Sequence, residues 1–522
     1  MTTFQTPGLS NSGLFGPVAI MAGCAALTVL VRLPFLSDVG ADEAFYLVIG
    51  RQWLDGMPPY VHSFDVKPPL LFGLMAAAEA VFGPSLIAAK ALIMAAVSAT
   101  ACAVYVFGRR FVGELSGIAA AFFYVVASLT LAGTVSPAEL IRAPFIAFGM
   151  LAGFAAIAKP GTPLGCTRPS LWLAAGAGVL LGAAAVVKQT AIFEAAPLAA
   201  FLLFSPPRKE GLKAFALFAA GCFVVPLGFA LLFLAEGHFG ALFDAAVISA
   251  FGRMSANYVS WGDAIVLFVL ELLLLSPLVI LAAAAWAFRG AFQPDVRPAL
   301  GFLAAWTMSA LFGVLAVRAV CAFYMLAALP PLCLLAGASL DHGIARFRGK
   351  RRRGLARTIV FASVVIFVAN TVRWSCYDAV NSAAADQAAG AMQAAGLRKQ
   401  DRILVIDRDL GVYLASGANP PHSIFNPMHL LCDFPFEGAT SALADSLESR
   451  PAFIVVSDPA YKIGCEKPER RALVKTALAD HYRVVGFFGS NDGARRSRFA
   501  LYGLKSQARN PAPILSANSD QK

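Results

Sequence analysis

The fold turns on residues 41–70, ADEAFYLVIGRQWLDGMPPYVHSFDVKPPL. This charged, aromatic-rich stretch lies between two long apolar stretches. Acidic residues and a lysine are costly to keep against a membrane span, so their placement points to a site at the edge of a bilayer. Composition supports membrane flanks. Of 522 residues, 58% are hydrophobic and only 14% are charged, and the mean hydropathy is +0.69. A water-soluble domain cannot carry that much apolar surface without aggregating.

Working outward, apolar runs near the ~20 residues that a spanning helix requires recur through the first three quarters of the chain. They fall at 15–36, 85–107, 112–133, 139–158, 171–187, 190–204, 213–235, 263–288, 299–317, 320–338 and 356–374. Helices are the expected form, because backbone groups in lipid must bond within their own segment. The run VLFVLELLLLSPLVILAAAAWAF (266–288) shows none of the alternation of a membrane β-strand. The N-terminus carries no charge before Arg32, so 14–36 reads as an uncleaved first span rather than a signal peptide. Residues 37–83 read as an outer loop with amphipathic stretches lying along the membrane surface.

Loop charges set the orientation. With the N-terminus inside, the inner loops hold Arg109 and Arg110, Lys159 and Arg168, Arg208 to Lys213, Arg289 and Arg297, and the cluster from Arg346 to Arg357. The outer loops hold Asp42, Glu43 and Asp65, then Glu139, Glu236, Asp244 and Asp263. Arg32, near the outer end of the first span, is the exception. The net charge of +11 therefore reflects topology and anionic lipid rather than nucleic acid, since no aromatic platform is interleaved with the basic cluster.

After about Arg373 the chain becomes polar and turn-rich. The runs 402–407, 452–458, 483–489 and 498–504 read as strands, and 379–396, 438–449 and 470–481 as helices. Residues 375–505 are thus expected to form an α/β domain on the outer side, with 506–522 a disordered tail. The nine cysteines show no CxxC and no metal-site spacing; Cys376, Cys432 and Cys465 allow one disulfide in an extracytoplasmic tail.

Several polar residues are candidates for chemistry. Asp42 and Glu43 suit a general base or a divalent-metal site at a membrane face; equally, they suit the first turn of a helix. Lys67, fixed by Pro68 and Pro69, either meets a phosphate as a point charge or snorkels to the interface. Arg318 lies on the outer side, against the topology rule, where a bound anion explains it. Arg142 and Lys188 share that position, with stronger structural readings. Glu139 is a first-turn acid or a functional one. His62 and Asp65 are candidate metal ligands without a second histidine nearby. Glu79, Glu194 and Glu271 fit buried polar contacts.

Taken in order, D-E-x-x-Y-x-x-I-x-R (Asp42, Glu43, Tyr46, Ile49, Arg51), G-x-P-P-Y and D-x-K-P-P-L (Asp65 to Leu70) resemble polytopic glycosyltransferases of the GT-C class. The likeness is to the protein O-mannosyltransferase-like family and the lipid A aminoarabinose transferases. It continues through RAPFIAFGMLAG (142–153), Lys188 and RAVCAFYMLAALPP (318–331), across most of residues 15–340. The resemblance implies transfer of a sugar from a polyprenyl-phosphate donor at the periplasmic face of a bacterial inner membrane. The acceptor would be lipid A or core, a glycan, or a protein of the envelope. Asp42 matches the family's base or metal-site acid, and Lys67 and Arg318 match positions that grip the lipid phosphate. Three departures stand out: Val66 and Ala143 replace acids of the aminoarabinose enzymes, and His238 comes too early to match their metal-ligating histidine. These count against zinc and against aminoarabinose as the sugar.

The expectation is therefore an α-helical polytopic membrane protein, GT-C-like with about 11–13 transmembrane helices, bearing a small C-terminal α/β extracytoplasmic domain. The candidate catalytic residues are Asp42, Glu43 and Glu139. The candidate donor-binding residues are Lys67, Arg318, Arg51, Tyr46, Lys188, Tyr324, Asp65 and His62. A divalent metal is left open, with Asp42 its ligand. The competing reading is a polyprenyl-lipid transporter or flippase, which predicts internal repeats and broken helices near the midplane.

Overall fold

The computed structural model describes residues 15–135, 137–162, 168–255, 260–318, 321–346, 380–407, 409–432, 438–457, 466–489 and 498–506. Helix α1 (Phe15–Arg32) leads through strand β1 (Asp38–Val39) into α2 (Ala41–Leu54) and α3 (Pro69–Phe82). Then come α4 (Leu86–Phe111), α5 (Glu114–Ala127), α6 (Pro137–Ile157), α7 (Leu171–Val187), α8 (Ala191–Leu203) and α9 (Arg208–Ala235). Two short helices, α10 (Phe239–Phe243) and α11 (Ala250–Ser255), precede α12 (Trp261–Leu274), α13 (Ser276–Ala287), α14 (Arg297–Ala316) and α15 (Leu329–Arg346).

Every expected span but the last contains helix; residues 356–374 lie outside the described residues. Length nevertheless separates the helices. Among the described residues, six helical stretches are long and apolar enough to cross a membrane: Gly16–Phe35, α4, α6, α9, α14 and Ala322–Leu340. Helices α5, α7 and α8 are apolar but shorter. The expected span at 263–288 is broken into α12 and α13, bent by 84°. Pro277, in the first turn of α13, lacks the N–H that would continue α12.

Small residues let the spans approach closely. A Cβ on Gly178 of α7 would stand 2.0 Å from the Phe218 carbonyl oxygen of α9, so only glycine permits this crossing. Helix α3, expected along the membrane surface, buries Leu71, Phe72 and Met75 against α2 and α4 and leaves Val81 and Phe82 exposed.

The C-terminal part holds β2 (Val380–Asn381), α16 (Ala383–Ala394), β3 (Ile403–Ile406), α17 (Gly411–Ser416), α18 (Pro427–Leu431), α19 (Ala439–Glu448), β4 (Phe453–Ser457), α20 (Pro468–His481), β5 (Tyr482–Gly489) and β6 (Arg498–Leu504). The sheet order is β3-β4-β6-β5, with β3 and β4 parallel and the other pairs antiparallel. Alternate residues face opposite layers. Val405, Phe453, Val455 and Leu501 join the core that contains α16 and α2, while Leu404, Ile406, Ile454 and Val456 pack with α19 and α20. Both faces are covered, which is why ILVI and FIVV are unbroken apolar runs. Cys432 is disulfide-bonded, as an extracytoplasmic position would allow.

The α/β part does not hang free of the outer loop. Strand β1 pairs antiparallel with β2, matching Asp38 to Asn381 and Val39 to Val380. The Ser382 amide donates to the Ser37 carbonyl at 2.9 Å, and the Phe64 amide to the Ser423 carbonyl at 2.9 Å. Phe45 of α2 lies 4.8 Å from Phe425, centroid to centroid. One hydrophobic core therefore runs from α2 and α3 into the sheet.

Candidate functional site

The site is built on α2. Gly40 is extended just before it, and a side chain there would meet the Val135 carbonyl oxygen at 2.5 Å. Asp42 and Glu43 occupy the first turn, where the helix dipole favours negative charge. The two acids then diverge. Glu43 is fully buried, pairs with Lys90 at 2.8 Å and accepts from the Gly40 amide at 3.4 Å. Lys90 also donates to the Thr134 carbonyl. Burial raises the Glu43 carboxyl's pKa and the Lys90 ammonium opposes that shift. Glu43, a candidate catalytic acid, thus ties α2 to α4 instead of facing the other candidates. Asp42 is half-buried and lies one turn below Tyr46, on the same helix face.

Tyr46 is the junction. Its ring is fully buried, 5.8 Å from the Lys67 ammonium. Burial, with the charges of Asp42, Asp65 and Glu139, holds its phenol well above the ordinary tyrosine range. The loop that carries Lys67 is fastened at three points. The Tyr60 hydroxyl donates to the Lys67 carbonyl at 2.7 Å, Ser63 donates to Gln52, and Gln189 donates to the Val66 carbonyl at 2.7 Å. Pro68 is extended and Pro69 opens α3, where its missing N–H costs nothing. Lys67 is buried, and no carboxylate among the described residues pairs with it.

A second charged group lies beside it, where α6, α7, α8 and α14 meet. Lys188, just past the end of α7, pairs with Glu139, and Arg142 pairs with Glu194 at 2.8 Å. Glu194 also accepts from the Trp306 indole at 3.2 Å. All four charged groups are buried. The Lys188 ammonium sits 3.6 Å from the Tyr324 ring centroid, a cation–π contact. Glu139, Arg142, Lys188, Glu194 and Tyr324 line a cavity of about 10 Å³, room for roughly one water.

The structure thus gathers Asp42, Tyr46, Asp65, Lys67, Glu139, Lys188 and Tyr324 into adjoining positions. Arg318 follows α14; Gly313 and Val314 of that helix and Val317 just past it line the same cavity, which Arg318 itself does not. Its guanidinium lies 5.2 Å from the Trp261 ring centroid. Two candidates are placed elsewhere. Arg51, on another side of α2 from Tyr46, donates to the Tyr413 carbonyl at 3.5 Å, at the seam with the α/β part. His62 is exposed whereas Asp65 is buried, so the two do not face one ligand. Among the described residues there is no group of three His, Cys, Asp or Glu side chains suited to a metal.

Glu194 is the buried polar contact it was read as, with Arg142 and Trp306 its partners. Sequence reasoning missed Gln189, Lys90 and Trp306. Their partners lie far away in sequence; a polar residue breaking an apolar run was the only local signal. Arg32, the topology exception, donates to the Ser128 and Gly133 carbonyls at 3.0 and 3.1 Å, satisfying backbone just beyond α5.

No protein-family model and no curated protein matches this chain. Solved structures do. ArnT from Cupriavidus metallidurans bound to undecaprenyl phosphate is similar at TM-score 0.64 and 16% identity, over 96% of this chain and 100% of that one. The Archaeoglobus fulgidus oligosaccharyltransferase tethered to an acceptor peptide is similar at TM-score 0.50 and 13% identity, over 94% and 74%. The arabinofuranosyltransferase AftD from Mycobacteria is similar at TM-score 0.51 and 15% identity, over 96% and 42%. The chain has the GT-C fold that these glycosyltransferases share.

Proposed function

We propose that this protein is a membrane glycosyltransferase that moves a sugar from a polyprenyl-phosphate donor to an envelope acceptor, with inversion. One observation carries the reading: a buried lysine with no carboxylate partner among the described residues, held against Tyr46, which lies one helical turn from the half-buried Asp42. A buried cation of that kind calls for an anion. The fold likeness to ArnT bound to undecaprenyl phosphate supports a lipid phosphate as that anion.

The chemistry follows. Asp42 takes the proton of the acceptor hydroxyl, whose oxygen attacks the anomeric carbon as the bond to the phosphate oxygen breaks. The departing phosphate keeps the electron pair and needs no proton, unlike the leaving group of an ordinary glycoside. Lys67, with Arg318 from the end of α14, stabilises its charge, and the low dielectric strengthens that attraction. Tyr46 and Tyr324 shape the donor sugar's surroundings. No step is routed through a metal.

The transporter reading gains one feature, the break between α12 and α13. That break is explained by Pro277, and buried Leu275 and Leu278 flank it directly. The test is transfer from labelled undecaprenyl-phosphate sugar to envelope acceptors by the purified protein. Transfer lost in Asp42→Asn and kept in Glu79→Gln supports the enzyme. Lipid movement across vesicles without transfer supports the transporter.

A further inference from the structure

The α/β part contains a cleft that the reaction does not use. It lies where the C-terminal end of α16 meets the sheet, with a volume of about 220 Å³, far more than the cavity at Glu139. Phe453, Gly503 and Arg483 form one row across β4, β6 and β5, matched residue to residue. Gly503 keeps the middle of that row open: a Cβ there would stand 3.0 Å from Val485 and 3.3 Å from Phe453. The opposite wall is the turn after α16, where Asp401 accepts from the Arg398 amide at 2.8 Å. Arg398 and Asp401 both line the cleft, and the Arg398 side chain is exposed.

Two arginines, one carboxylate and an aromatic edge make an uncommon set of neighbours. The Nη2 of Arg483 is buried with no hydrogen-bond partner among the described residues. A charged donor left so is costly, and an oxyanion would satisfy it. Phe453 and Val485 offer an apolar wall for the C–H face of a sugar ring, and Asp401 an acceptor for its hydroxyls. We propose that this cleft binds an anionic carbohydrate, a sugar bearing a phosphate or a carboxylate, as a remote residue of the acceptor. The acceptor role rests on the glycosyltransferase reading; the binding itself does not. Helix α16 has twelve residues, so the cleft is about 18 Å along it from the β1–β2 seam. The cleft therefore holds a distant part of the acceptor, and binding energy from distant groups can serve the reacting end.

The test is calorimetric titration of the full-length protein in detergent with glucose 6-phosphate, glucose and inorganic phosphate. Saturable binding is expected for glucose 6-phosphate, at least ~10-fold tighter than for either fragment. Arg398→Gln, an exposed change that leaves folding intact, and Arg483→Gln should each weaken it about 10-fold or more. Asp42→Asn should leave it unchanged while abolishing transfer. Inorganic phosphate binding as tightly as the hexose phosphate would reduce the cleft to an anion site and overturn the proposal. So would unchanged affinity in both arginine variants, or no saturable binding. Loss of binding with transfer intact removes the subsite alone; binding without any transfer removes the enzymatic reading alone.

Discussion

Two buried lysines at the same end of the molecule have opposite surroundings. Lys188 has a carboxylate, Glu139, and belongs to a compact group with Arg142, Glu194 and the Trp306 indole. Lys67 has a tyrosine ring, a backbone clamped by Tyr60 and Gln189, and no carboxylate partner among the described residues. A buried charge that is paired is neutralised by the protein and mainly holds helices together. A buried charge that is unpaired is stable only beside something else of opposite sign. The contrast separates the frame from the binding group, although both are single lysines at the edge of an apolar helix.

The sharpest way to break that contrast is Asp42→Asn. If Asp42 is the base next to the unpaired lysine, transfer should fall by about 10²–10⁴-fold with donor binding retained, measured by turnover and by lipid-phosphate titration. A change confined to donor affinity would place Asp42 in the frame. Next is Lys188→Met, which leaves Glu139 buried and alone. Thermal unfolding should show a loss of about 3–5 kcal/mol, with much of it recovered in Lys188→Met/Glu139→Leu. A double variant as unstable as the single one would show that the pair does more than cancel charge.

Lys67→Ala should do the reverse. Donor affinity should weaken by about 10–100-fold, a lost charge-assisted contact of ~1.5–3 kcal/mol, while the unfolding temperature barely moves. A collapse in stability would place Lys67 with Lys188. The smallest effect belongs to the α/β part, where Asp409 is buried beside Asp407. Burial first, then that neighbouring charge, pushes its carboxyl up to about 7. An unfolded aspartate titrates near ~3.9, so the folded chain alone holds this proton between the two values. The stabilisation is full below the lower value and is lost as the pH rises through the upper one. Asp409→Asn stays neutral, so its stability relative to the parent should improve by about 1–3 kcal/mol between pH 5 and pH 8. A difference independent of pH would show that Asp409 is not protonated in the folded chain.

Much of this was legible. The alternation of apolar runs and charged loops placed the helices within a few residues, because hydrophobic length is a local property. The four strands of the sheet were visible for the same reason, as short apolar runs of β-branched, aromatic and aliphatic residues between turn residues. The motif from Asp42 to Leu70 marked the site. Span counting fared less well, since composition does not reveal that α12 turns by 84° into α13. Arg51 illustrates the limit. Within its motif it reads as a donor-binding cation, yet its carbonyl partner Tyr413 is 362 residues away.

What the chain determines by itself is its solvent: apolar periodicity and length dictate helices in a membrane, and polar turn-rich composition dictates a sheet outside it. Tertiary structure alone decided which charges cancel and which remain. Glu43 and Asp42 are neighbours in sequence, but one meets Lys90 and the other turns to Tyr46. That division depends on electrostatic partners brought together from distant helices, and charge pairing at a few ångströms has no signature in the order of residues.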